Sequence, residues 1–211
     1  GTTVLIEDVA FPLKELPEAT ADLQELLVTN EYHDACIYGH ALEGNFHFII
    51  SQSFDSPEQV ARYEKLMDEV KTLVVDKYDG SLKAEHGTGR NMAPFVKYEW
   101  GERAYGFMKA VKELFDPKGL LNPGVIFNED PHCHLKHFKP MPLTNAHVDK
   151  CIECGFCEVN CLTCGFSLSS RQRIVIQREI SRLKKLSDTE SSERLKTLQK
   201  QYKYLGNATC A

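Results

Sequence analysis

The stretch Asp34-Ala-Cys-Ile-Tyr-Gly-His40-Ala-Leu-Glu43-Gly44-Asn-Phe-His47-Phe-Ile-Ile-Ser51 decides the fold. Its two flanks are strand-like, and a Glu-Gly pair sits midway between two histidines. With Glu43-Gly44 as a two-residue hairpin turn, Leu42 faces Asn45, Ala41 faces Phe46 and His40 faces His47. Directly opposed residues on one face of a sheet have Cβ atoms about 4.5–5.5 Å apart, so the two imidazoles reach a single ion. Downstream, Glu85 supplies a third ligand of the right type. Two histidines and a carboxylate with an open position suit zinc, and also iron(II) or manganese(II). The bland alternative is a pair of ordinary strand histidines. His86, beside Glu85, is a candidate general base. Arg90 is a candidate grip for a substrate carboxylate.

Around the hairpin the chain alternates in type. Residues 2–9 are β-branched and read as a strand, and Phe11 to about Thr29 carries leucines at helical spacing. Ser56-Pro57-Glu58 starts a second helix, with Ser as N-cap and Pro in the first turn. A third helix is expected over about Lys97 to Phe115, stopped by Asp116-Pro117-Lys118-Gly119. Strand, helix, strand, strand, helix predicts an α+β fold: an antiparallel sheet with helices on one face. Cys36 falls within a strand and reads as a small core residue. Residues 128–147, broken by prolines, read as a linker. His132, Cys133, His134 and His137 lie in it and are expected to be solvent-exposed rather than metal ligands. A mostly helical, cysteine-rich module follows from 148 to 211, with a helix beginning after Ser169.

The 211 residues carry a net charge of −5, with 42% hydrophobic and 26% charged residues. That is the composition of an ordinary globular chain without a basic stripe, which argues against nucleic acid as a partner. No apolar run approaches the roughly 20 residues of a membrane span. Of the eight cysteines, five crowd into 151–164, which in a reducing compartment means metal binding rather than disulfides. Cys151-x2-Cys154-x2-Cys157-x3-Cys161 has the spacing of a bacterial-type iron–sulfur run, in which the fourth cysteine serves a second cluster. Cys151, Cys154 and Cys157 are then expected to hold one [4Fe–4S] cluster, with Cys161 and Cys210 serving another. Leu162 stands where a proline usually follows. The chain begins at a glycine, its first Met is Met67, and it ends one residue past Cys210; a fragment of a longer protein is expected.

Three ordered motifs carry a family resemblance. Gly39-His40-x-x-Glu43-Gly44-Asn45-x-His47, Glu85-His86-Gly87-x-Gly89-Arg90 and Phe115-Asp116-Pro117-x-Gly119-x-Leu121-Asn122-Pro123-Gly124 resemble the C-terminal domain of FAD-linked oxidases. These are the D-lactate, glycolate and D-2-hydroxyglutarate dehydrogenases. The resemblance covers residues 1–127, and the cysteine run after it looks like the fused members that carry a ferredoxin-type module. It implies a ferredoxin-like cap over a flavin bound mostly by another domain. It also implies metal ligation by His40, His47 and Glu85, proton removal by His86, and a cofactor contact at Asn122. The expected substrate is a small D-2-hydroxy acid of the D-lactate or glycolate class. Ile49 stands where hydroxyglutarate-type members tend to carry Asn. Electrons would leave through the clusters to a respiratory-chain or carrier acceptor, in the cytoplasm or peripherally at the cytoplasmic membrane. Without the flavin domain the fragment is expected to be inactive alone. The competing reading is an electron-transfer or iron–sulfur assembly module with no substrate site of its own.

Overall fold

The computed structural model describes residues 2–204. Two compact units divide the chain, one spanning Val4–Phe138 and the other running on from Lys139. The first is built on a three-stranded antiparallel sheet of order β1-β3-β2, with β1 Thr3–Ala10, β2 Cys36–His40 and β3 Asn45–Gln52. Helix α1 (Leu16–Thr29) links β1 to β2, and α2 (Pro57–Lys71) follows β3. The chain then returns beside β1 through a single antiparallel bridge, Ala10 with Ser81, both N–H···O distances 2.9 Å. The expected α+β architecture is therefore present.

Side-chain parity assigns the two faces of the sheet. Phe46, Phe48 and Ile50 of β3 and Val9 of β1 point into the core, against Ala19, Leu23 and Leu27 of α1 and Tyr63, Leu66, Met67 and Val70 of α2. Each large apolar side chain buried there contributes about 1.5–3 kcal/mol. The alternate residues Asp8, Asn45 and His47 lie on the opposite face, where the loop carrying Lys83, Glu85 and His86 meets them. Helix α2 starts where the sequence places it: the Ser56 hydroxyl accepts from Gln59 N at 3.4 Å, and the Gln59 side chain accepts from Ser56 N at 3.2 Å. Past Lys71 the helix loosens into a π-turn, Thr72–Lys77.

The hairpin differs from its expected form. His40 pairs with Asn45, Gly39 with Phe46 and Tyr38 with His47. Residues 41–44 make the connection, Ala41–Glu43 as a 3-10 turn and Gly44 left-handed at φ 73°. Gly44 is required there: a Cβ on it would stand 2.5 Å from the Phe11 carbonyl oxygen. The register is shifted by two residues, not one, so every side chain keeps its face. His40 and His47 become diagonal neighbours on one face rather than directly opposed.

Three further expectations are corrected. Cys36 is exposed, because β2 is an edge strand. The third helix, α3, runs Ala93–Phe115, starting before Lys97, and is broken at Gly101 (φ 73°, ψ 168°). The stretch read as a linker begins as packed structure: Leu135 and Phe138 lie against the first core, and Phe138 stacks on Phe54 with ring centroids 3.8 Å apart. Within it Cys133 and His134 are buried, not exposed. The Cys133 thiol donates to Arg90 O at 3.4 Å, His134 packs edge-on to Phe95, and His132 pairs with Glu64 at 3.2 Å. His137 stands at the left-handed φ of 60°.

The second unit holds the cysteine loop and two helices, α4 (Ser170–Leu183) and α5 (Thr189–Gln201). A capping box of Ser169 and Gln172 starts α4, and Asp188 caps α5. Among the described residues, no helix is long and apolar enough to cross a membrane.

Candidate metal centre

Four segments meet on the open face of the sheet. His40 ends β2, His47 lies in β3, Asp8 lies in β1, and Glu85-His86 arrive on the loop after the Ala10–Ser81 bridge. His47 Nε2 is 2.9 Å and His40 Nε2 3.2 Å from the same oxygen, Glu85 Oε1. His86 Nε2 is 4.0 Å from that oxygen. Asn45 Nδ2 approaches it at 3.5 Å. The His47 side chain is 5% exposed, Glu85 48% and His40 60%. One ligand is thus buried in the sheet, while two stand at its surface and leave one side open to solvent.

The His47 ring has aromatic neighbours. His86 stacks on it with centroids 4.3 Å apart and planes within 4°. Tyr38, its register partner, lies at 5.1 Å. His47 Nδ1 is buried without a hydrogen-bond partner among the described residues, so packing and the Nε2 contact hold the imidazole. The donor set fits a divalent ion: three ligand atoms of types that zinc, iron(II) and manganese(II) accept converge, and two of the three residues face solvent. A second convergence, Asp8 with His47 and His86, does not fit. Nitrogen lone pairs lie in the ring planes, and two parallel stacked planes do not share an in-plane point. Both oxygens of Asp8 are also already engaged.

Those engagements shape the loop. Asp8 Oδ1 accepts from Lys83 Nζ at 2.8 Å, and its Oδ2 accepts from Ala84 N at 3.1 Å, Glu85 N at 2.6 Å and His86 N at 2.9 Å. Burial pushes the Asp8 pKa up, but the Lys83 ammonium and the His86 and Glu85 N–H groups outweigh it and hold the carboxyl down at about 2. Next to it, burial raises the pKa of Glu7 although Lys83 Nζ lies 3.2 Å away. Glu7 also accepts from Asn91, which pairs with the Tyr63 hydroxyl.

The remaining candidates lie elsewhere. Arg90 Nη2 donates to Pro123 O at 3.4 Å, so its guanidinium is turned to the Asn122-Pro123-Gly124 turn. Asn122 is exposed and left-handed, φ 45°. That turn is tied to α3 by Asp116, which accepts from Leu120 N and Leu121 N at 2.9 Å each and from Lys112 Nζ at 2.5 Å. In the second unit Cys154 and Cys157 are exposed, Cys151 half-buried and Cys161 buried. Cys151 Sγ accepts from Glu153 N at 3.3 Å, and Cys161 Sγ from the Ser170 hydroxyl at 3.6 Å. Sulfurs that accept hydrogen bonds suit thiolate ligation of iron–sulfur or zinc. Buried Arg178 fixes the loop, donating to Cys151 O at 2.7 Å, Val148 O at 3.3 Å and Glu153 Oε1 at 2.5 Å. Cys210 lies outside the described residues.

Sequence reasoning missed Asp8, Asn45 and Lys83. A signal for Asp8 was present: Glu7-Asp8 puts two consecutive acids inside a β-branched strand, where alternation sends one to each face.

The family description "FAD linked oxidases, C-terminal domain" matches residues 1–126. Curated relatives agree. Glycolate oxidase subunit GlcD of Bacillus subtilis is 27% identical over 128 residues, 61% of this chain and 27% of that protein. D-2-hydroxyglutarate dehydrogenase of Stutzerimonas stutzeri is 33% identical over 124 residues, 57% of this chain and 26% of its own length. The mitochondrial D-lactate dehydrogenase [cytochrome] 1 of Saccharomyces cerevisiae is 30% identical over 125 residues, 59% of this chain and 21% of its length. The chain spans about a quarter of the length of the curated relatives it matches.

Proposed function

The chain belongs to the FAD-linked oxidases through their C-terminal domain, and we propose that it forms the substrate-side half of a flavin-dependent dehydrogenase that oxidises a small D-2-hydroxy acid, of the D-lactate or glycolate class, to the 2-oxo acid. The observation that carries this is the convergence of His40 and His47 on Glu85 Oε1, with His86 stacked on His47.

His40, His47 and Glu85 would hold a divalent metal, with zinc the expected ion. When bound, it supplies a positive charge for the substrate carboxylate and lowers the pKa of the 2-hydroxyl. FAD, which Asn122 would meet at its exposed turn, would supply the acceptor for the hydrogen and two electrons leaving the substrate carbon. The chain's own residues bind, orient and take the proton. Glu85 and His40, half in solvent, leave the approach open; His47 anchors the site in the sheet. His86 Nε2, on the Glu85 side of the ring, accepts the hydroxyl proton. Its stacking on buried His47 restricts the imidazole to one plane, so the accepting lone pair is oriented before substrate arrives. Arg90, beside the Asn122 turn, is assigned to the substrate carboxylate or to the turn that meets the cofactor.

Cys151, Cys154, Cys157 and Cys161, with Cys210, are assigned to [4Fe–4S] clusters that pass electrons singly to a carrier or respiratory acceptor, peripherally at a cytoplasmic membrane. The spacing of the run and the hydrogen bonds to Cys151 and Cys161 support this. The competing reading, an electron-transfer or assembly module, shares the cysteines but gives the His40–His47–Glu85 cluster no task.

The test is flavin bleaching in the flavin-loaded protein containing this chain. D-lactate or glycolate should reduce the wild type, and His86→Ala should reduce about 10²–10⁴-fold more slowly. Equal rates remove His86 as the base. Zinc without labile sulfide in that protein removes the cluster assignment.

A further inference from the structure

We infer that Asp8 is a positioning residue for the Glu85-His86 pair: through a single carboxylate oxygen it fixes three successive backbone N–H groups and so sets where the metal ligand and the base stand. The inference rests on the reading of His40, His47 and Glu85 as metal ligands.

The geometry is specific. Asp8 is 0% exposed, on the strand beside the one that carries His47. Its Oδ2 collects the N–H groups of Ala84, Glu85 and His86 at 3.1, 2.6 and 2.9 Å. Successive N–H groups turned to one point form a cradle for an anion, and here the anion is built into the sheet. Lys83 engages the other oxygen, Oδ1, at 2.8 Å. The ion pair with Lys83 therefore does not account for Oδ2.

Beyond His86 the next ties of the loop are at Gly89, whose carbonyl accepts from Ile126 N at 3.5 Å, and at Arg90, whose carbonyl accepts from the Cys133 thiol at 3.4 Å. Gly87 and Gly89 are left-handed (φ 75° and 63°), and a Cβ on either would meet nothing within 4 Å. Asp8 thus ties the backbone that carries Glu85 and His86 to the sheet, while the Glu85 carboxylate meets His40 and His47 and the His86 ring lies on His47. Length matters as well as charge. Glu at position 8 would extend the carboxylate by one methylene, and Asn would keep an acceptor while turning an amide N–H₂ toward the Lys83 ammonium.

The test uses the whole chain and Co²⁺ as a visible probe of affinity and geometry. Asp8→Asn and Asp8→Glu are compared with the wild type, with His47→Ala as a non-binding reference. Leu66→Ala is the control for destabilisation alone, measured well below its melting temperature. Both Asp8 variants should bind Co²⁺ about 10–100-fold more weakly with a shifted ligand-field band, and their amides at 84–86 should exchange faster, while Leu66→Ala keeps wild-type affinity and band. If Asp8→Asn does not fold, Asp8→Glu and the double variant Asp8→Asn/Lys83→Gln, which removes the unpaired ammonium, give the same readouts. Folded Asp8 variants with wild-type affinity, band and exchange overturn the inference. A wild type that binds no Co²⁺, with exchange at 84–86 still accelerated by Asp8→Asn, overturns the metal reading and leaves the hold of Asp8 on the loop standing.

Discussion

His86 lies flat on His47, ring centroids 4.3 Å apart and planes within 4°. A buried strand histidine thus serves as the platform for a loop histidine, and the two have separable tasks. His86→Ala should weaken metal binding by no more than about 10–100-fold, the range of an outer-shell neighbour. His47→Ala should abolish binding at micromolar metal. Calorimetric zinc titration of both variants checks this; equal losses would make His86 a ligand.

Gly44 closes the hairpin in a left-handed conformation, with the Phe11 carbonyl where a Cβ would go. Gly44→Ala should cost about 1–2 kcal/mol from the backbone alone, with the clash added. The urea midpoint of the first unit should fall. An unchanged midpoint would mean that the loop relaxes freely.

Asp116 accepts two N–H groups and the Lys112 ammonium, and these, the Lys112 bond foremost, hold its carboxyl down at about 2. A carboxylate with a depressed pKa adds stability above its unfolded value, near 3.9, and loses it as pH falls through the folded one. The Asn122 turn should therefore loosen between about pH 4 and pH 2. Amide exchange at Leu120 and Leu121 reads this directly. In Asp116→Asn that pH dependence should vanish.

Arg178 and Glu153 form a buried ion pair at 2.5 Å, and Arg178 also holds the Cys151 carbonyl. Removing one partner of a buried pair costs about 3–5 kcal/mol when the other charge is left alone, and less here because Glu153 also pairs with Lys139. Arg178→Met should lower the melting temperature of the second unit and the iron and sulfide retained on anaerobic reconstitution. A normal yield would separate the ion pair from the cysteine loop.

Much of this was legible in the sequence. Ser56-Pro57 and Ser169 named their helices because capping is local chemistry. The His40, His47 and Glu85 set emerged because parity survives a two-residue error in register: the hairpin turn was misjudged, yet both histidines kept their face. What could not be read depended on distant partners. Asp8 acts on amides 76 to 78 positions away, and backbone N–H groups carry no side-chain signature. Cys36 looked like core because its strand was recognised but not its place at the edge. Phe138 looked like linker because its partner, Phe54, lies far back in the chain.

The gradient of exposure across the three ligands bears on which metal the site would accept. With His47 set in the sheet and the Glu85 backbone held by Asp8, His40 is the ligand that its surroundings constrain least, at 60% exposed. Two imidazoles and a carboxylate accept zinc, iron(II) and manganese(II) alike, so supply would share with shape in the choice of ion. Exchange would begin at His40, the most exposed ligand, so the same protein isolated from differently fed cells should carry different ions.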